Sequence, residues 1–130
     1  MPRIHNPMLV KTFEAEVAVT KGMTVIAGTD EDQVNDPAAA NDVPVGIALH
    51  AAAAGEQVDV CMFGPAIGIA DAAITRGALV AIGGALGKLA PITGGSTTFD
   101  QRVVGKALEA AAADGDEISI FVGLNDGILV

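Results

Sequence analysis

Val43-Pro44-Val45-Gly46-Ile47-Ala48-Leu49-His50-Ala51-Ala52-Ala53-Ala54-Gly55-Glu56 recurs as Arg102-Val103-Val104-Gly105-Lys106-Ala107-Leu108-Glu109-Ala110-Ala111-Ala112-Ala113-Asp114-Gly115-Asp116, with Asp114 as the extra residue of the second copy. Each copy runs into an alternating segment, Gln57-Val58-Asp59-Val60-Cys61-Met62-Phe63-Gly64 in the first and Glu117-Ile118-Ser119-Ile120-Phe121-Val122-Gly123 in the second. Period-2 alternation of β-branched residues between glycines is the mark of a strand. Upstream, Val19-Thr20-Lys21-Gly22-Met23-Thr24-Val25 matches Ile74-Thr75-Arg76-Gly77-Ala78-Leu79-Val80. A repeat of this period means one supersecondary unit used twice, here over about residues 19–64 and 74–123.

The fold class that follows is mainly β: a compact β-barrel or β-sandwich-like domain built from two tandem β units. Sixteen glycines and six prolines along 130 residues leave little room for long helices. Val45–His50 and Val103–Leu108 read as strands. Ala51–Gly55 and Ala110–Gly115 read as tight turns or single helical turns, with a short helix over Ala107–Ala113 as the competing reading, because alanine favours helix. Closure of the sheet would remove edges that otherwise aggregate. Thr29–Asp42 and Ile92–Asp100, polar and turn-rich, read as exposed loops.

The domain organisation expected is an N-terminal arm, residues 1–18, followed by a single β-rich domain, residues 19–130. The arm (Met1-Pro2-Arg3-Ile4-His5-Asn6-Pro7-Met8-Leu9-Val10 and onward) carries apolar side chains with no helical period. It is expected to order against a neighbouring subunit, with Ile4, Met8, Leu9, Val10 and Phe13 as the interface. On that reading, deleting residues 1–12 abolishes binding and leaves the domain folded.

Composition narrows the function. Hydrophobic residues make up 51% of the chain, yet it has four Phe, no Tyr and no Trp. Alanine buries little area at roughly 25 cal/mol per Å², so partner subunits are expected to cover part of the apolar surface. Net charge is −9, from 16 acidic and 7 basic residues, and the basic residues are scattered. Phosphate neutralisation needs clustered Lys and Arg, so no direct nucleic-acid partner is expected. No apolar run approaches the ~18 residues of a membrane span and no signal peptide is visible, so no membrane partner is expected either.

The catalytic inventory is nearly empty, and no enzyme activity, cofactor or metal is expected. Gly83-Gly84-Ala85-Leu86-Gly87-Lys88 fails the phosphate-loop spacing, since Ile82 stands where the first glycine belongs and Leu89 follows the lysine; a hairpin turn between Val80 and Leu89 explains it better. Asp30, Asp32 and Asp36 lack the EF-hand pattern, because Val34 stands at a ligand position. His50 matches Glu109 in the repeat, which reads as a water-facing polar position. Cys61, the single cysteine, reads as a buried small hydrophobe.

The element Val-Gly-x-Ala-Leu-x-Ala-Ala-Ala-Ala followed by a glycine, an acidic residue and an alternating strand resembles the capsid cement (decoration) proteins of tailed bacteriophages. Ile74-Thr75-Arg76-Gly77-Ala78-Leu79-Val80 matches a further element common in them. The resemblance covers about Val19 to Gly123. It implies a structural virion protein on the outer surface of the head, commonly a homotrimer, that binds the major capsid protein and stabilises the expanded shell against internal DNA pressure. The first 18 residues and the acidic loop fall outside the matched pattern, so no contact residue carries over from the family. An oligomeric β-barrel binding module recognising a small molecule or surface glycan is the alternative, weakened by the missing Trp and Tyr.

Overall fold

The repeat predicts two similar β units, and a computed structural model of the chain, describing residues 9–38, 42–83, 87–92 and 103–123, shows how they are joined. Nine strands occur among the described residues: β1 (Leu9–Ala15), β2 (Thr24–Ala27), β3 (Gln33–Asn35), β4 (Pro44–Ala48), β5 (Gln57–Ile69), β6 (Leu79–Ile82), β7 (Leu89–Pro91), β8 (Val103–Ala107) and β9 (Glu117–Val122). The sheet order is β1-β3-β2-β4-β5-β9-β8-β6-β7, with β1 also paired to β5. The first five strands therefore close into a ring, and no strand of that ring keeps a free edge.

The second ring repeats the first. β5 is long enough to serve both: its first half pairs with β1 and β4, and Gly64–Ile69 pairs with β9. Its second half plays the part in unit two that β1 plays in unit one. The backbone bonds match pair by pair. Ala15 N–H donates to the Glu56 carbonyl as Ala70 N–H donates to that of Asp116, both at 2.8 Å. The parallel β1–β3 pairing is echoed by the parallel Ala70–Leu89 bridge, which completes the second ring.

This revises the expected boundary at residue 18. Leu9–Ala15 is the first strand of the first barrel, hydrogen-bonded within its own chain. The expected loop over Thr29–Asp42 is also corrected: it contains β3, with Val34 fully buried. The Ala-rich segments are turns, with no helix. Ala52 and Ala111 pair with Val19 and Ile74, and those cross-chain bonds take the backbone groups that a helix would use. β6 and β7 form the hairpin expected between Val80 and Leu89, paired from Ile82↔Leu89 to Val80↔Pro91; residues 84–86 of its turn and residues 93–100 of the second expected loop lie outside the described residues.

The Val-Gly pairs have a common structural cause. Gly46 lies opposite Val25, and Gly105 opposite Val80, each beside a register shift in the β2–β4 and β6–β8 ladders. Such a bulge sharpens the bend a small barrel needs. At both glycines a Cβ would fall on a backbone carbonyl, that of Cys61 for Gly46 and that of Phe121 for Gly105. Only glycine allows the strands so close.

Each ring has its own core. Ala15, Val19, Met23, Val25, Val34, Ala48, Ala52, Val58 and Val60 fill the first. The second is filled by their counterparts, including Ala70, Ile74, Val80, Leu89, Ala107, Ala111, Ile118 and Ile120. The inner positions trade volume. Barrel two has Leu89 and Ile120 where barrel one has Val34 and Val60, and room for them comes from Gly68, whose Cβ would sit 2.6 Å from Leu89 Cδ1. In barrel one Phe13 stands at the place of Gly68 and packs against the smaller valines. Cores conserve total volume more strictly than identity.

Candidate surface for contact with other proteins

Among the described residues no three His, Cys, Asp or Glu side chains gather where they could hold a metal ion. In the 29–36 loop Asp32 Oδ1 accepts from Lys11 Nζ at 2.8 Å, and the Asn35 side chain accepts from the Asp36 N–H.

His50 and Glu109 have a shared, specific task that their polarity alone did not reveal. Asp59 N–H donates to His50 Nε2 at 3.2 Å, and Ser119 N–H donates to Glu109 Oε1 at 2.8 Å. Each side chain thus satisfies one outward backbone donor on the closing strand. The extra residue of the second copy, Asp114, is likewise placed: its carboxylate accepts from Lys88 Nζ at 2.8 Å and holds that ammonium above its ordinary pKa.

Cys61 is fully buried, and its thiol donates to the carbonyls of Phe63 and Gly64. Burial pushes its pKa up from 9.0. Because the thiolate is the reactive form, a thiol reagent at pH 8 is expected to leave the native protein unlabelled and to label it at once in denaturant. The neutral thiol imposes no penalty below pH 9. Above that, the unfolded chain ionises first and stability falls as pH rises. Rapid labelling of the folded protein would contradict this placement.

Several large apolar side chains are exposed among the described residues. Leu9 and Phe63 are direct cross-strand partners on β1 and β5 and are 54% and 38% exposed. The pair stands at the end of the β1–β5 ladder, beside the register shift between Leu9 and Val10, where cross-strand partners lie close. The Phe63 ring meets the Phe121 ring edge to face at 5.3 Å. Val10 and Leu108 are exposed as well. On a chain of net charge −9 the exposed Leu9 and Phe63 are the candidate contact surface.

The residues expected at an interface divide three ways. Leu9 and Val10 are exposed on β1. Phe13 turns inward, half-buried against the first core, with Lys11 Nζ 5.0 Å above its ring. Ile4 and Met8 lie outside the described residues. Deleting residues 1–12 would remove the first half of β1 and open the ring, so that truncation cannot separate contact from folding. Phe63 was overlooked, although it shares the outward phase of Gln57 and Asp59 in its alternating strand.

Comparison with known proteins places this geometry. The family described as phage cement protein matches residues 4–124. No curated protein sequence matches the chain. Among solved structures, the N base of the head fiber gp8.5 of bacteriophage phi29 is similar, with a TM-score of 0.66 at 22% identity, over 94% of this chain and 98% of that one. At that identity the likeness concerns the fold.

Proposed function

The chain belongs to the phage cement protein family and is a capsid-associated structural protein; from that premise we propose that it binds the outer surface of the expanded head through an apolar contact centred on Leu9 and Phe63. Its partners on this reading are the major capsid protein and further copies of itself, as a homotrimer, with neither nucleic acid nor membrane involved. The observation that carries the contact is the exposed Leu9–Phe63 pair, backed by Phe121. Both are already partly buried, so covering what remains exposed contributes about 1 kcal/mol each.

Stabilisation then follows from mass action. A ligand that binds the assembled shell and not its dissociated subunits adds to the shell's stability. Each contact can be modest, because many copies act on one particle. The similar fold of the phi29 head-fiber base accords with a virion location.

Leu9→Asp and Phe63→Asp are expected to keep the fold, since both positions are exposed, although Phe63→Asp gives up the ring contact with Phe121. Each is expected to lower occupancy on expanded, undecorated heads at least about tenfold, as loss of a central apolar anchor does. Co-sedimentation with heads reads occupancy, and circular dichroism checks the fold. Folded variants that still saturate the heads would reject this contact.

A further inference from the structure

The two barrels are copies, yet only one of them has its outer β4/β8 face covered. In unit one that face carries Ile47, Leu49, Cys61 and Gly22. Ile47 and Cys61 are fully buried against the second barrel's core, and Leu49 packs beside them. Gly22 lies so close to Ile69 that a Cβ would stand 3.0 Å from its Cγ1. The corresponding face of unit two carries Lys106, Leu108, Phe121 and Gly77. Lys106 is exposed, Leu108 is 39% exposed, Phe121 is half-buried and Gly77 has open space around it.

The complementary face is likewise used once. Unit two meets unit one through the outer side of Gly64–Ile69, with Ile67 and Ile69, and through Gly87, whose Cβ would strike Met23 and the Thr24 backbone. Their counterparts in unit one are Thr12, Glu14 and Asp32, all exposed. One barrel face of each kind is therefore left over, at opposite ends of the tandem. The leftover faces differ in charge: Arg76 and Lys106 stand on the second barrel, and Glu14 and Asp32 on the first, where Lys11 pairs with Asp32 and leaves Glu14 as the acidic group without a cation among the described residues.

We propose that a second copy of this chain covers the Lys106–Leu108–Phe121 face of barrel two with the outer side of its own β1, repeating between chains the junction that joins the barrels within one. The proposal deepens the cement reading and rests on its expectation of self-association. A contact between two different faces is heterologous, which is the kind that closes cyclic trimers and larger rings. Terminal repeats that served only as caps would present polar faces without a match; these instead keep Leu108 and Phe121 and oppose basic to acidic side chains. Complementary charge of this sort fixes partner and register.

Sedimentation velocity of the purified protein without heads tests it, independently of capsid binding. The wild type is expected to form a discrete oligomer. Arg76→Glu and Glu14→Lys, made singly, are each expected to weaken association at least about tenfold, and the double exchange to restore it, because Glu14 holds the place of Ile69, which lies against Gly22, the counterpart of the Gly77 beside Arg76. Both positions are exposed, and circular dichroism confirms that each variant is folded. A wild type that stays monomeric up to its solubility limit would overturn the proposal, as would single variants that associate like wild type or a folded double variant that stays apart. Head binding that survives in monomeric single variants would leave the capsid contact standing while confirming the chain-to-chain one.

Discussion

Gly105→Ala is expected to destabilise the protein by about 3 kcal/mol, at the upper end of what overpacking costs, and Gly46→Ala to do the same. The added methyl has no free volume to enter. At Gly105 it would fall on the carbonyl oxygen of Phe121 and 3.1 Å from Ile120 Cγ2; at Gly46, on the carbonyl of Cys61 and 2.8 Å from Val60 Cγ1. The carbonyls belong to closing strands held on both sides, by β8 and the second half of β5 in one case and by β4 and β1 in the other. A side chain could rotate away, but a carbonyl in a closed ladder cannot. With total stability of a domain at about 5–15 kcal/mol, such a loss moves the urea midpoint far. Variants with wild-type midpoints would contradict the close approach.

The second large effect is asymmetric between the repeats. Gly87 and Asp32 occupy matching positions in the β6–β7 and β2–β3 turns, and both have positive φ, 67° and 60°. Gly87→Asp is expected to cost at least about 3 kcal/mol. Left-handed backbone contributes about 1 kcal/mol of that for a non-glycine residue, and the rest comes from collision with Thr24 and Met23 at the barrel junction. Asp32→Gly is expected to change stability by less than about 1 kcal/mol, because relief of backbone strain is offset by loss of the exposed Lys11 ion pair. Thermal denaturation of the two variants reads the contrast. Equal shifts would mean that the turns see equal surroundings.

The strands with clear alternation were legible in the sequence, and so was the duplication. Val58–Phe63 and Ile118–Val122 announce themselves because one face meets a core and the other water. The true start of each repeat was hidden. Leu9-Val10-Lys11-Thr12-Phe13-Glu14-Ala15 and Gly64-Pro65-Ala66-Ile67-Gly68-Ile69-Ala70 share only their final alanine, although they are equivalent strands. Their inner faces differ because Phe13 and Gly68 balance different neighbours. Their outer faces differ because Ile67 and Ile69 meet another barrel, where Thr12 and Glu14 meet solvent. β3 escaped notice because three residues with one apolar side chain, Val34, cannot show a period. The Ala-rich turns resisted helix for a reason that no local propensity contains: Ala52 and Ala111 are bonded across the barrel to Val19 and Ile74.

Exposure at the proposed contact was legible in part. An apolar, helix-incompatible N-terminal stretch pointed toward Leu9 and Val10. Phe63 joins them only once β1 lies beside β5, a pairing between residues far apart in sequence. Phe13 misled for the converse reason, since an aromatic in a stretch without visible period gives no sign of which way it faces.

The most direct test of the cement account is the heat resistance of expanded, undecorated heads with and without saturating protein, followed by release of packaged DNA. The account predicts stoichiometric binding and a higher release temperature, with both lost in Phe63→Asp. Heads that bind the protein stoichiometrically yet release DNA at an unchanged temperature would contradict a cementing role, and heads that bind none of it would contradict the capsid contact itself.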